Sequence, residues 1–87
     1  AKAFFIISEH SDEIGKFILK ELDRGVTVLK GKGFYTGRDK DVLLCIVNRS
    51  QITTLKEAVH SVDSKAFVMI TDANEVLGEG FKELKKS

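Results

Sequence analysis

The side chains that could do chemistry in this 87-residue chain are few and scattered along the sequence. Its one cysteine, Cys45, lies in an apolar run, which favours a buried, inert thiol over a nucleophile. A single cysteine excludes an internal disulfide and an iron–sulfur cluster held by four thiolates. His10 has Glu9 and Asp12 as neighbours, a grouping that could bind a metal but is typical of a solvated helix start. No Ser-His-Asp spacing indicates a triad, so we expect no enzyme activity and no cofactor.

Two glycine clusters are the best indication of a ligand site. The first spans residues 31–37 with Lys30, Lys32 and Arg38 beside or within it, and the backbone N–H groups of such a loop could cradle an anion. A hairpin with a bulge accounts for the same glycines. The second cluster, Gly78–Gly80, is equally explained as a turn. Neither cluster has the spacing of a P-loop or a dinucleotide fingerprint.

The elements that must position these residues follow from the apolar pattern. It predicts strands over 3–7, 26–30, 42–47 and 66–70, helices over 12–22 and 51–62, and a short extended piece around 76–77. Ser11 and Ser50 are expected helix caps, and Gly25 is expected to end the first helix. The order predicts an α+β, ferredoxin-like βαββαβ sandwich. We expect a four-stranded antiparallel sheet, two helices on one face and a short C-terminal strand.

The length of the chain limits the number of domains, and its net charge limits the class of partner. The chain is short enough for a single domain, which we place at 1–81, followed by a charged tail at 82–87. Fourteen basic and thirteen acidic residues leave a net charge of +1, which argues against nucleic-acid binding.

The central strands are apolar on both sides, although two helices can cover only one face of a sheet. An uncovered second face would be an apolar patch that monomers rarely tolerate, so we expect a homo-oligomer. Folding back of residues 72–81 over that face is the alternative. The candidate interface residues are Phe5, Ile7, Leu43, Cys45 and Val47.

Four blocks of sequence carry a family resemblance: RGVT at 24–27, GKGFYTG at 31–37, DSKAFV at 63–68 and EVLGEGF at 75–81. In this order and spacing the chain resembles, over about residues 3–81, the C-terminal soluble domain of the YitT family of bacterial multi-pass membrane proteins. Phe34 stands where that family often has a smaller residue, and Ser64 where proline is common.

The resemblance implies a fold close to the PII signalling proteins, in a soluble domain on the cytoplasmic face of the bacterial inner membrane. It implies an attached transmembrane region and a trimer or dimer with a small anionic ligand or nucleotide between subunits. We therefore expect a regulatory or ligand-sensing domain, and the alternative is a purely structural oligomerisation module without a ligand. No catalytic residues come with the resemblance. The candidate ligand-binding residues are Arg24, Gly31, Gly33, Tyr35, Thr36, Gly37, Arg38, Asp63, Gly78, Glu79 and Gly80.

Overall fold

The predicted order of helices and strands is confirmed, with small shifts at the ends. A computed structural model describes residues 1–78 and residue 80. The strands are β1 (Lys2–Ile7), β2 (Thr27–Lys32), β3 (Asp39–Val47) and β4 (Phe67–Asp72), and the helices are α1 (Ser11–Glu21) and α2 (Ile52–Val62). A single turn of 3₁₀ helix, Arg49–Gln51, precedes α2. The predicted tail at 82–87 lies outside the described residues.

All neighbouring strands are antiparallel, and their order is β2-β3-β1-β4. β1 and β3, the two strands with the most continuous apolar runs, therefore occupy the centre, as the pattern predicts. The C-terminal strand expected around 76–77 amounts, within the described residues, to an isolated bridge at Leu77.

The core lies between one face of the sheet and both helices. From the sheet it takes alternate residues of β1 and β3, and from the helices it takes the apolar stripes. The fully buried members with the largest side chains are Phe4, Ile6, Ile14, Ile18, Val47, Leu55 and Val59. Burial also raises the pKa of the Cys45 thiol to about 11, so this sulfur is a core atom held in its neutral form.

The other face of the sheet, which we call the open face, carries the remaining alternate residues. Phe5 lies between Leu44 on β3 and Met69 on β4. Both helices of the described chain pack on the opposite side. The open-face residues of the four strands are Ala3, Phe5, Ile7, Thr27, Leu29, Gly31, Lys40, Val42, Leu44, Ile46, Phe67, Met69 and Thr71.

This register corrects the predicted interface. Phe5 and Ile7 lie on the open face, but Leu43, Cys45 and Val47 are at most 2% exposed and pack against the helices. Because β3 is apolar on both sides, its pattern left open which set faced the helices, and pairing with β1 decides it.

Two predicted helix ends are also corrected. Ser11 is the first helical residue of α1, and the N-cap position before it makes no side-chain cap bond. At the other end, Asp23 rather than Gly25 adopts the left-handed conformation, with φ of 53°. Aspartate tolerates that region better than most residues, so glycine is not required there.

Candidate functional site

A contact between Ser8 and Asp63 joins the end of β1 to the end of α2. The Ser8 hydroxyl donates to Asp63 Oδ2 at 2.6 Å, and the His10 N–H donates to the Ser8 oxygen at 2.9 Å. The second carboxylate oxygen accepts from the Lys65 N–H at 2.9 Å. These bonds, with that from Ser8 the largest cause, hold the pKa of the Asp63 carboxyl below its usual range. Asp63 is therefore an ionised clamp between two loops.

This contact forms part of the wall of a cleft of about 730 Å³. Three separate segments meet there: the loop between β1 and α1, the start of β3, and the connection from α2 to β4. They meet because β1 is antiparallel to both β3 and β4, so its end lies beside their starts. The lining residues are Ile7, Ser8, Glu9, His10, Ser11, Arg38, Asp39, Lys40, Asp41, Asp63, Lys65 and Phe67.

The charged groups of the cleft differ in whether they already have partners. Among residues 1–78 and 80, Arg38, Lys40 and Lys65 make no side-chain ion pair. The Asp41 carboxylate, by contrast, is bound by Lys30 Nζ at 2.8 Å on the β2–β3 ladder. The Asp63 carboxylate is satisfied as described above. The three cations therefore share the cleft with Glu9, Asp39 and the ionised Asp63, so the cleft has no net positive charge, but its cations are without ion-pair partners among the described residues.

Ser8, His10 and Asp63 share this cleft, but they are not arranged as a triad. In a triad the serine hydroxyl donates to the histidine imidazole, which the carboxylate orients. Here the Ser8 hydroxyl donates directly to the carboxylate, and His10 contributes its backbone N–H. Within the described residues, no group of three or more metal-binding side chains is present. That the chain is not an enzyme stays a prediction.

The glycine-rich hairpin uses its backbone groups for its own turn. The Gly33 N–H donates to the Arg38 carbonyl at 2.8 Å, and the Gly37 N–H donates to the Gly33 carbonyl at 2.7 Å. The Arg38 N–H donates to Thr36 Oγ1 at 3.2 Å. The prediction that these N–H groups cradle an anion is therefore wrong, because each of them is bonded within the hairpin. Gly31 pairs with β3, and Tyr35 stands fully exposed at the tip.

Arg24 and the second glycine cluster lie at the opposite end of the sheet. Arg24 Nε donates to Gln51 Oε1 at 3.2 Å, and Nη1 donates to the Gly80 carbonyl at 3.3 Å. Gln51 follows the end of β3, whereas Arg38 immediately precedes its start. The candidate residues therefore divide into two groups, and of the candidates that the structure describes, Arg38 and Asp63 alone line the cleft. Gly78 belongs to the same C-terminal segment as Gly80, and Glu79 lies outside the described residues.

Lys40 and Lys65 are the cleft residues that the sequence reasoning missed. Lys40 is the second residue of β3 and lies in none of the four family blocks, whereas Lys65 lies in the block at 63–68, just before β4, without a ligand motif of its own. In the βαββαβ order, β3 and β4 both run antiparallel to β1, so their starts lie at the same end of the sheet. This topology predicts that both lysines lie at that end.

Comparison with known proteins gives the family. Residues 24–78 match a family described as "Uncharacterized protein conserved in bacteria (DUF2179)". The chain belongs to this family. It is 51% identical over 81 residues to the UPF0750 membrane protein YpjC of Bacillus subtilis, covering 93% of this chain and 28% of that protein. The UPF0750 membrane protein YitT of the same organism is 30% identical over 73 residues, covering 84% of this chain and 26% of that protein.

The crystal structure of a DUF2179 protein from Eubacterium ventriosum superposes with a TM-score of 0.70 at 27% identity, covering 80% of this chain and 96% of that one. The resemblance to the YitT family and the fold are thereby confirmed. The chain spans only about 28% of the curated membrane protein YpjC. This is consistent with a DUF2179 domain that forms one part of such proteins. In the described part of the chain, no helix is both long and apolar enough to cross a bilayer.

Proposed function

We propose that this DUF2179 domain binds a small anionic ligand in the cleft and thereby regulates an attached membrane region, from the cytoplasmic side. The observation that carries the proposal is the convergence of Arg38, Lys40 and Lys65, from two segments, in one cleft without ion-pair partners among the described residues. A guanidinium and two ammonium groups suit phosphate or carboxylate, which they bind through charge-assisted hydrogen bonds.

The arrangement also suggests how binding would be transmitted. A ligand held by both Arg38 and Lys65 would tie the start of β3 to the connection before β4. That connection is already clamped to the end of β1 through Ser8 and Asp63. A ligand shifts an equilibrium only if it binds one state better. Here the favoured state is the one in which both strand starts are held together.

The test is titration calorimetry with inorganic phosphate, a mononucleotide and a dicarboxylate, each at constant ionic strength. Arg38→Ala and Lys65→Ala are expected to weaken binding by about 10- to 100-fold, because each removes a charged hydrogen bond of about 1.5–3 kcal/mol. Lys20→Ala is the matched control, since Lys20 is an exposed lysine in the last turn of α1, outside the cleft. Equal losses in all three variants would indicate non-specific charge attraction and contradict the proposal.

A structural oligomerisation module is the second candidate, and the open face supports it. Leu29, Phe67 and Met69 are 42%, 63% and 48% exposed there. Phe5→Glu and Leu29→Glu are expected to reduce the mass measured by light scattering if copies pack through this face. Leu19→Glu is the control, because Leu19 is a leucine on α1, away from the open face, and is 55% exposed. An unchanged mass in both open-face variants would remove face-to-face packing from consideration.

A further inference from the structure

The outer edge of β4 is an unpaired strand edge with defined hydrogen-bonding groups. β4 pairs with β1 on one side and ends the sheet on the other. The Ala73 N–H donates to the Ala1 carbonyl at 3.0 Å, which extends the same register by one residue. In an antiparallel ladder, successive residues point their backbone groups to opposite sides. The N–H and C=O groups of Val68, Ile70 and Asp72 therefore point away from β1, and among the described residues no backbone bond reaches them.

The two edges of the sheet differ in their protection against strand pairing. Charged side chains, lysines above all, normally discourage such pairing. β2 carries two lysines at its edge, Lys30, which is bonded to Asp41, and Lys32, which makes no ion pair among the described residues. β4 reads FVMITD, and its one charged residue, Asp72, sits at the end and is paired with Lys2. An undefended apolar edge of this kind favours addition of another strand.

A groove of about 220 Å³ runs beside this edge on the helix side of the sheet. Its apolar floor comes from Val59 of α2 and from Val68 and Ile70 of β4. α2 therefore does not close over the edge. A strand laid against β4 would place alternate side chains into this groove and the others on the open face.

We propose that the strand added at this edge is β4 of a second copy of the chain, in an antiparallel pair about a two-fold axis perpendicular to the sheet. This axis keeps the open faces of both copies on the same side of the joined sheet. Residues that face each other across the axis must then point to the same side, so their residue numbers differ by zero or an even number. Symmetry sets the antiparallel sense, because a two-fold axis perpendicular to the sheet reverses the direction of the partner's strand.

Side-chain chemistry selects the register. With Met69 opposite Met69 of the partner subunit, Val68 faces Ile70 of the partner subunit and the two residues exchange hydrogen bonds, which the symmetry repeats. Apolar residues then meet apolar residues over both grooves. Centring the pair on Ile70 instead would set the Asp72 carboxylate against Val68 of the partner subunit, a larger apolar side chain than Ala66 of the partner subunit, which it faces in the Met69 register, at a greater desolvation cost. Met69 is the centre that the observations favour.

Disulfide cross-linking tests both the edge and the register. Met69→Cys is expected to give a covalent dimer on mild oxidation, because opposed residues in the unbonded pairs of such a ladder lie within disulfide reach. Thr71→Cys is the matched control on the same strand. Its own symmetry mate would lie about 13 Å away, four residues along the strand, too far for a disulfide. Equal cross-linking of the two variants would overturn the register.

Analytical ultracentrifugation up to millimolar concentration tests the association itself. The native chain is expected to dimerise, and Met69→Lys is expected to weaken the dimer at least about tenfold, because two ammonium groups then oppose each other across the axis. Leu29→Glu is on β2, so it is expected to leave this edge-to-edge dimer intact and to disrupt only packing through the open face. Comparing the two variants therefore distinguishes the edge proposal from the oligomerisation module. A chain that stays monomeric, or a dimer insensitive to Met69→Lys, would overturn the proposal.

Discussion

Replacing Gln51 with alanine is the sharpest test of what holds the end of the sheet opposite the cleft. The Gln51 side chain makes three hydrogen bonds to separate parts of the chain. Its Nε2 donates to the Leu22 carbonyl at 2.9 Å, and its Oε1 accepts from Asn48 N–H at 3.0 Å and from Arg24 Nε at 3.2 Å. One side chain therefore joins the end of α1 to the turn that begins α2.

The expected loss follows from what alanine leaves behind. A hydrogen bond contributes about 0.5–1.5 kcal/mol net, and a buried group left without a partner costs at least as much. Leu22 is only 8% exposed, so water replaces its amide partner poorly. Asn48 is exposed and recovers a bond to water. The total is about 2 kcal/mol, which lowers the unfolding midpoint by about 8–16 °C in a domain of this size.

Thermal unfolding followed by circular dichroism measures this loss directly. Gln51→Glu is the informative companion, because it keeps the acceptor for Asn48 and Arg24 but loses the donor to Leu22, and we expect an intermediate midpoint. Ser50→Ala is the control, since Ser50 is exposed and makes no side-chain hydrogen bond in the described part of the chain. A Gln51→Ala midpoint within about 2 °C of the native value would refute this reasoning.

Three further predictions concern the hairpin, the core thiol and the clamp. Gly37→Ala is expected to destabilise the fold by about 1 kcal/mol in chemical unfolding, because Gly37 has φ of 72°. Gly25→Ala, at a site with open space and ordinary φ, should be neutral or slightly stabilising. Cys45, with its pKa raised to about 11, should react with a thiol reagent at pH 8 only upon unfolding. The pKa of Asp63 is lower in the folded chain than its ordinary value of 3.8, so ionised Asp63 stabilises the fold fully above pH 3.8. This stabilisation is lost as the pH falls through the lower pKa of the folded state. Asp63→Asn should therefore weaken the decrease of the unfolding midpoint at acid pH.

The fold could be predicted from the sequence because its strongest signals are local. Continuous apolar runs mark β1 and β3 as central strands, and helical spacing marks the stripes of α1 and α2. The direction in which β3 faces could not be predicted in the same way. Its two faces are equally apolar, so only the pairing of Phe5 with Leu44 distinguishes the core set from the open-face set.

The cleft was only partly predictable, for a related reason. Arg38 was found because it lies beside a glycine cluster, and Asp63 because it lies in a block shared with a known family. Lys40 lies in no such block, and the block that contains Lys65 does not indicate a role for it, so contacts between distant segments decide the role of both lysines. Gly33 illustrates the converse. A Cβ there would lie 2.8 Å from Thr36 Oγ1, so close packing in the hairpin explains this glycine without any ligand.

The position of β4 connects the proposed ligand site to the proposed partner edge. Phe67 begins β4 and lines the cleft, while Val68 and Ile70, the next residues along, carry the outward backbone groups of the edge. A ligand that orders the start of β4 would therefore favour pairing of two copies. Thermodynamic linkage then requires that the dimer bind the ligand more tightly by the same factor. Anion titrations of the native chain and Met69→Lys at equal concentration measure that factor, and identical affinities would show that the two sites are independent.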